Sequence, residues 1–280
     1  MFYFSCVLVF LTWILLWIGG LVNPMGASLA CPDWYFVPTC HGELLPAMTG
    51  GVLFEHGHRL WASMVGLMTV VLAIWIWVSK KTDRTTKKLA LLAVFGVALQ
   101  GTLGGVTVLL GLSAVLSTLH LVVAMGFFCL VIYLAMRSGQ NPLRPGHTGV
   151  LIAFFLTFVQ ILLGGLIRHV GAGMACGNDW LSCGPSFWPS WHLGQLHMLH
   201  RLVGYALTVV IGWTCIRQLS VTKWALVPML LVVLQVALGL MTVATLRHAH
   251  VVAMHTAIGA LTLASLWVLY WARPKKELSA

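Results

Sequence analysis

Eight apolar stretches, each long enough to cross a bilayer as a helix, follow one another along this chain with short polar breaks between them. They fall near residues 3–22, 52–79, 89–110, 114–136, 148–168, 193–216, 224–246 and 249–272. About 20 consecutive apolar residues suffice for a hydrocarbon layer roughly 30 Å thick, where a helix satisfies its own backbone. Of the 280 residues, 60% are hydrophobic and 8% charged, too little charge to cover a water-soluble domain of this size. The expected fold class is an all-α polytopic membrane protein.

The net charge of +10 would suit a nucleic-acid partner, but the basic residues are placed otherwise. Lys80, Lys81, Arg84, Lys87 and Lys88 share the loop after the second stretch. Arg137 and Arg144, then Arg217 and Lys223, flank the next loops on that side, and Arg273, Lys275 and Lys276 lie in the tail. The opposite loops hold Arg168 and Arg247, while Arg59 and Arg201 lie within spans. By the positive-inside rule both termini are cytoplasmic. The charge sets topology, and a nucleic-acid partner drops out. A short first span followed by Gly26, Ala27, Ser28 and Ala30 also suits a cleaved signal peptide. It has no basic n-region, however, and its end matches the end of span five, so it reads as a retained helix.

That match extends along the chain as an internal duplication. Gly19-Gly20-Leu21-Val22 corresponds to Gly164-Gly165-Leu166-Ile167, and 11 residues separate Gly20 from Cys31, as they do Gly165 from Cys176. Asp33-Trp34 then answers Asp179-Trp180, and Cys40 answers Cys183. Gln100, Leu103, Gly104, Thr107 and Val108 recur as Gln235, Leu238, Gly239, Thr242 and Val243. Four spans per half insert in the same orientation, related by an axis along the membrane normal. The expected architecture is two four-helix bundles, residues 1–140 and 141–280.

Each half carries a His-Arg pair, His58-Arg59 and His200-Arg201, and a second intramembrane histidine, His120 or His255. The four lie at similar depth near the outer ends of alternate helices. Histidine within a membrane marks a functional site by default. Helix bundles build cofactor sites from facing side chains, and neutral imidazole is an axial ligand for haem iron. Two pairs at matched depth therefore read as two bis-imidazole haem sites, against the plainer reading of histidines hydrogen-bonded between helices. His41, His147, His169, His192, His248 and His250 fall in loops or at span ends. His56 and His197 stay ambiguous, each near a ligand on the right helix.

The halves differ in one acid. Glu55 stands three residues before His58, on its face, where the second half has His197. A carboxylate near hydrocarbon needs a partner or a chemical purpose. The plain reading is a salt bridge to Arg59 at i+4. The functional one is an acid–base group beside the first porphyrin, favoured because a fold-bearing pair should recur. Arg59 and Arg201 do recur, and guanidinium pairs well with a propionate. Of seven cysteines, Cys6, Cys129 and Cys215 lie within spans and are expected to pack. Cys31 with Cys40, and Cys176 with Cys183, share loops facing an oxidising compartment and are expected as two local disulfides. The second serves as a staple; the first is as well suited to a redox role.

The eight-span duplicated layout, Glu55-x-x-His58-Arg59, His120, His200-Arg201, His255 and the loop cysteine pairs together resemble the haem A synthase family over nearly the whole chain. The resemblance implies oxidation of the C8 methyl of haem O to a formyl, giving haem A for terminal oxidases. It implies substrate haem between His58 and His120, a haem b cofactor between His200 and His255, and Glu55 as the catalytic acid. Cys31 and Cys40 match the family's loop disulfide, and the second pair resembles the prokaryotic branch, hence a bacterial inner membrane. Haem O synthase is then the expected substrate donor and terminal oxidase assembly the destination. The electron donor stays unassigned, and a homo-oligomer is allowed for. The implied chemistry passes through a hydroxymethyl stage. It proceeds either after one histidine lets go of the iron or at the porphyrin edge, by electron removal and water attack.

Two other classes share some of these features. A di-haem b-type cytochrome transferring electrons from quinol would use the same four histidines, with Glu55 and the cysteines dispensable. A permease of parallel repeats would also show duplication, but with broken helices and polar residues at the midplane.

Overall fold

The computed structural model describes residues 1–34, 37–139 and 143–272. Among them, eight helices are long and apolar enough to cross a membrane, as a multi-pass membrane protein requires. They are α1 (Phe2–Val22), α2 (Gly50–Val78), α3 (Arg84–Leu109), α4 (Ala114–Arg137), α5 (Thr148–His169), α6 (His192–Gln218), α7 (Leu226–Ala244) and α8 (Ala249–Trp271). Their ends agree with the hydropathy reading to within two residues, except at α3, which starts five residues earlier than expected. Asp83 caps it, accepting from Thr86 N at 3.0 Å and from Thr86 Oγ1 at 2.7 Å. The cap lets Arg84, Lys87 and Lys88 extend the helix beyond the apolar stretch. Arg137 at the end of α4 donates to the same carboxylate at 2.8 Å, fastening these two helices on the basic face. Arg273, Lys275 and Lys276 of the tail lie outside the described residues.

Lipid is as apolar as leucine, so close packing and hydrogen bonds, rather than exclusion from water, hold helices together in a bilayer. Two apolar clusters result. One joins α1 to α4 through Leu8, Val65, Leu72, Ala93, Phe127 and Val131. The other joins α4 to α8 through Phe128, Ile132, Ala153, Ile211, Val232 and Leu263. Helix α4 therefore faces both clusters. Tryptophan N–H groups tie helices across the structure: Trp13 donates to Ala257 O and Trp267 to Cys129 O.

Small residues set the closest approaches. A Cβ on Gly20 would lie 3.3 Å from the Ala253 backbone, so this glycine lets α1 meet α8. A Cβ on Gly165 would lie 2.8 Å from Leu121, and this glycine lets α5 meet α4. The neighbours Gly19 and Gly164 point elsewhere, toward the histidines.

Candidate functional site

Each expected ligand histidine stands in the opening turns of its helix. His58 and His200 come eight residues after the first residue of α2 and α6 (50 to 58, 192 to 200). His120 and His255 come six after the first of α4 and α8 (114 to 120, 249 to 255). At 1.5 Å per residue these are depths of roughly 12 and 9 Å, so each pair lies at about one level beneath the cysteine loops. His200 and His255, on α6 and α8, line one cavity.

Behind every one of these imidazoles lies a glycine of the preceding helix. An added Cβ would stand 2.9 Å from His58 Cε1 at Gly19, and 3.3 Å from His120 Cε1 at Gly104. It would stand 3.0 Å from His200 Cε1 at Gly164, and 3.2 Å from His255 Cε1 at Gly239. A side chain at these positions would drive the ring forward. All four Nδ1 atoms are buried without a hydrogen-bond partner among the described residues. A buried polar atom left unpaired costs on the order of 1–3 kcal/mol. His56 Nδ1 is buried and unpaired as well, so what sets the other four apart is the glycine seat they share.

Glutamines steady the same residues. Gln100 Nε2 donates to His120 O at 2.9 Å and Gln160 Nε2 to His200 O at 2.8 Å, while Gln235 Nε2 lies 3.4 Å from His255 Nε2. Gln100 and Gln235 are repeated residues in the sequence; Gln160 and the use of the glycines appear only in the fold. The signal for the glycines was there: each belongs to a matched segment, Gly19 with Gly164 and Gly104 with Gly239.

A cavity of about 230 Å³ opens around His200 and His255, with Arg168, Arg201 and Arg247 among its lining residues. Facing imidazoles, apolar walls and guanidinium groups suit a planar metalloporphyrin with carboxylate tails. The first half differs beside its own pair. The Trp34 indole packs against Gly105 so closely that no Cβ would fit there, whereas the corresponding residue of α7 is Leu240 and Trp180 lines the second cavity.

The loops above the histidines are closed by disulfides, Cys31 to Cys40 (Cα–Cα 4.8 Å) and Cys176 to Cys183 (4.3 Å). In the first, Glu55 and Arg59 grip the loop from below. Glu55 Oε2 accepts from Cys31 N at 2.9 Å, and Oε1 pairs with Arg59 Nη2 at 2.7 Å. Arg59 also donates to the carbonyls of Cys31, Asp33 and Thr39, at 2.6 to 2.7 Å. The salt-bridge reading of Glu55 thus describes the geometry, and both Nη atoms of Arg59 are taken up by Glu55 and the loop. In the second half, His197 Nδ1 accepts from Cys176 N at 3.3 Å. Arg201 Nη1 donates to the carbonyls of Asp179 and Ser182, while its Nη2 is buried without a partner among the described residues. The contact that Glu55 makes therefore recurs, while its charge does not.

Other details of the loops repeat. Asp33 accepts from His41 N and Gly42 N, both at 2.9 Å, and Asp179 accepts from Gly184 N at 3.0 Å. Burial works to raise the Asp33 pKa, but the Gly42 and His41 amides and the Thr39 hydroxyl outweigh it and hold the carboxyl below its ordinary range. His56, left ambiguous by the sequence, is buried and donates through Nε2 to Leu44 O at 3.1 Å. His197 anchors its loop and also lines the cavity. Cys129 and Cys215 pack in the core as expected, but Cys6 is exposed on the outward side of α1.

Residues 49–267 match the model of the COX15-CtaA family, described as cytochrome oxidase assembly protein. The chain is 30% identical to "Heme A synthase" of Halalkalibacterium halodurans over 268 residues, which cover 89% of this chain and 88% of that protein. It is 31% identical to "Heme A synthase" of Exiguobacterium sibiricum over 232 residues, 76% of this chain and 74% of that one. With "Heme A synthase" of Bacillus licheniformis it shares 28% identity over 247 residues, 80% of each chain.

Proposed function

The chain belongs to the COX15-CtaA family of cytochrome oxidase assembly proteins, and we propose that it is a haem A synthase whose two histidine pairs divide the work. The substrate haem O sits between His58 and His120, and a resident haem b between His200 and His255. The observation that carries this reading is the fourfold recurrence of a buried imidazole with an unpaired Nδ1 seated on a glycine, with an acid in one half alone. The similarity to curated haem A synthases over most of the chain supports the reaction itself. The di-haem cytochrome would use the same pairs but predicts that Glu55 and the cysteines are dispensable for function.

When bound in the second half, haem b would relay electrons one at a time. The chain's own residues do the rest. His58 and His120 hold the substrate iron from both sides and fix the porphyrin plane, backed by Gly19, Gly104 and the Gln100 contact to His120 O. Where water supplies the oxygen at the methyl-bearing edge, the electrons removed would pass by way of haem b to a one-electron acceptor, and the protons are released beside α2. Glu55, on the His58 face of α2, takes the protons released there. Arg59 and the Cys31–Cys40 loop hold Glu55 in place. Haem O synthase supplies the substrate and terminal oxidase assembly takes the product. The cysteine loops lie on the outer face of a bacterial inner membrane, with the basic face and both termini in the cytoplasm.

The test is haem extraction and mass analysis of purified protein co-expressed with a haem O source, wild type beside Glu55→Ala. Wild type is expected to carry haem B with haem A or its hydroxylated precursor, and the variant to stall at haem O or that precursor. Two equivalents of haem B in both would return the chain to the electron-transfer class.

A further inference from the structure

The two histidine pairs share their seats but not their electrostatic surroundings. Helices α3 and α7 end at Leu109 and Ala244, and α4 and α8 begin at Ala114 and Ala249, a constant offset of 135 residues. Leu112 and Arg247 therefore occupy the same place, and both adopt the left-handed backbone conformation, with φ of 64° and 66°. On α1 and α5 the glycine seats at 19 and 164 set an offset of 145, which makes Asn23 the counterpart of Arg168. At both places the second half has a cation and the first half does not.

The His-Arg pairs widen the difference. Glu55 neutralises Arg59, whose Nη atoms are taken up by that carboxylate and by loop carbonyls. His197 brings no such charge to Arg201, and Arg201 Nη2 stays buried and unpaired among the described residues. Arg168 is anchored by Gly20 O at 2.9 Å and by Asn23 Oδ1 at 3.4 Å. The Arg247 side chain packs over Gly173 and has no hydrogen-bond or ion-pair partner among the described residues. Arg168, Arg201 and Arg247 all line the one cavity that holds His200 and His255. Three guanidinium groups, none of them in an ion pair among the described residues, converge on the cavity that would hold a porphyrin and its two carboxylates.

We propose that Arg168, Arg247 and the free Nη2 of Arg201 clamp the two propionates of the porphyrin in the second half, and that the lack of such a clamp at Asn23, Leu112 and Arg59 leaves the first-half porphyrin free to exchange. This rests on the assignment of His200 and His255 as haem ligands. A dianion facing three cations in a low-dielectric site is held by charge-assisted hydrogen bonds. A dianion facing a neutralised arginine, an asparagine and a leucine depends on its iron ligands and ring contacts. A substrate that must enter and leave as product belongs in the second kind of site, and a resident relay in the first.

The test measures transfer of haem b from the purified, detergent-solubilised protein to excess apomyoglobin, at low and high salt. Arg247→Gln is the first variant, because its side chain has no hydrogen-bond or ion-pair partner among the described residues. We expect haem b to leave about tenfold faster, the effect of losing one charge-assisted contact. We also expect Arg247→Lys to recover part of that loss and the haem midpoint potential of Arg247→Gln to move negative. Leu112→Arg, in the first half, should conversely slow release of haem O and haem A. Wild-type release rates and potential in Arg247→Gln, together with loss of haem b in His200→Ala, would overturn the clamp while leaving the ligand assignment intact. Full haem b in His200→Ala would overturn the assignment and the clamp with it.

Discussion

The Cys31 amide donates to Glu55 Oε2 at 2.9 Å, so the one intramembrane acid of the first half is bonded directly to its loop disulfide. Glu55→Gln keeps an acceptor for that amide while removing the charge. It should melt within a few degrees of wild type, keep haem b, and convert haem O at least about a hundredfold more slowly, as loss of an acid–base group does. Glu55→Ala should in addition lose about 1–3 kcal/mol of stability, because the Cys31 N–H is left unpaired and Arg59, still bonded to its loop carbonyls, loses its counter-charge. Thermal melts in detergent, paired with haem mass analysis, separate the two effects.

The disulfides should not be equivalent. Each closes a short loop, for which chain entropy gives about 2–3 kcal/mol. Cys31→Ser with Cys40→Ser should lower both the melting temperature and haem O conversion, because the amide that positions Glu55 is no longer tethered. Cys176→Ser with Cys183→Ser should lower the melting temperature but leave conversion per bound haem b unchanged. Equal loss of conversion in the two double variants would show that Glu55 is not what the first loop serves.

The glycine seats are also measurable. An alanine at Gly164 would place its Cβ 3.0 Å from His200 Cε1, and the ring must move. Gly164→Ala should therefore lose haem b or shift its Soret band, while Gly19→Ala should do the same to the first-half porphyrin alone. Absorption spectra of the two variants, with pyridine haemochrome stoichiometry, check this directly.

On the basic face, Asp83 is held well below the ordinary carboxylate range by the Thr86 hydroxyl and amide and then by Arg137. A folded-state pKa below the unfolded one contributes stability that is present above the unfolded value and is lost as pH falls. The melting-temperature difference between wild type and Asp83→Asn should therefore be constant from neutral pH down to about pH 5, and shrink below about pH 4. Melting curves across that range, in one detergent and salt, check the sign.

Much of this was legible in the sequence because the membrane makes hydropathy nearly decisive. A helix that must cross the bilayer declares its length, and histidine or glutamate inside it is conspicuous. The eight spans, the four histidines, both cysteine pairs and Glu55 could be read in that way. The glycines at 19, 104, 164 and 239 recur in the matched segments, but their purpose depends on which ring faces each from the next helix, which the sequence does not carry. Arg168 and Arg247 looked like loop charges; their convergence on one cavity depends on the angle at which α5 and α7 end. Arg59 reads as a propionate partner because guanidinium pairs well with a carboxylate; in the fold its Nη atoms bond Glu55 and the carbonyls of its own loop. The α3 boundary moved for a local reason, the Asp83 cap, which outweighs the drop in hydropathy before Leu89.

The division of labour between the two histidine pairs is tested most directly by haem composition. His58→Ala with His120→Ala, and His200→Ala with His255→Ala, would be purified from cells that make haem O, and their extracted haems identified by mass. The first variant should keep one equivalent of haem B and carry no haem O or haem A, and the second should lack haem B. Loss of the same haem from both variants, or haem B alone in wild type and in each, would contradict it.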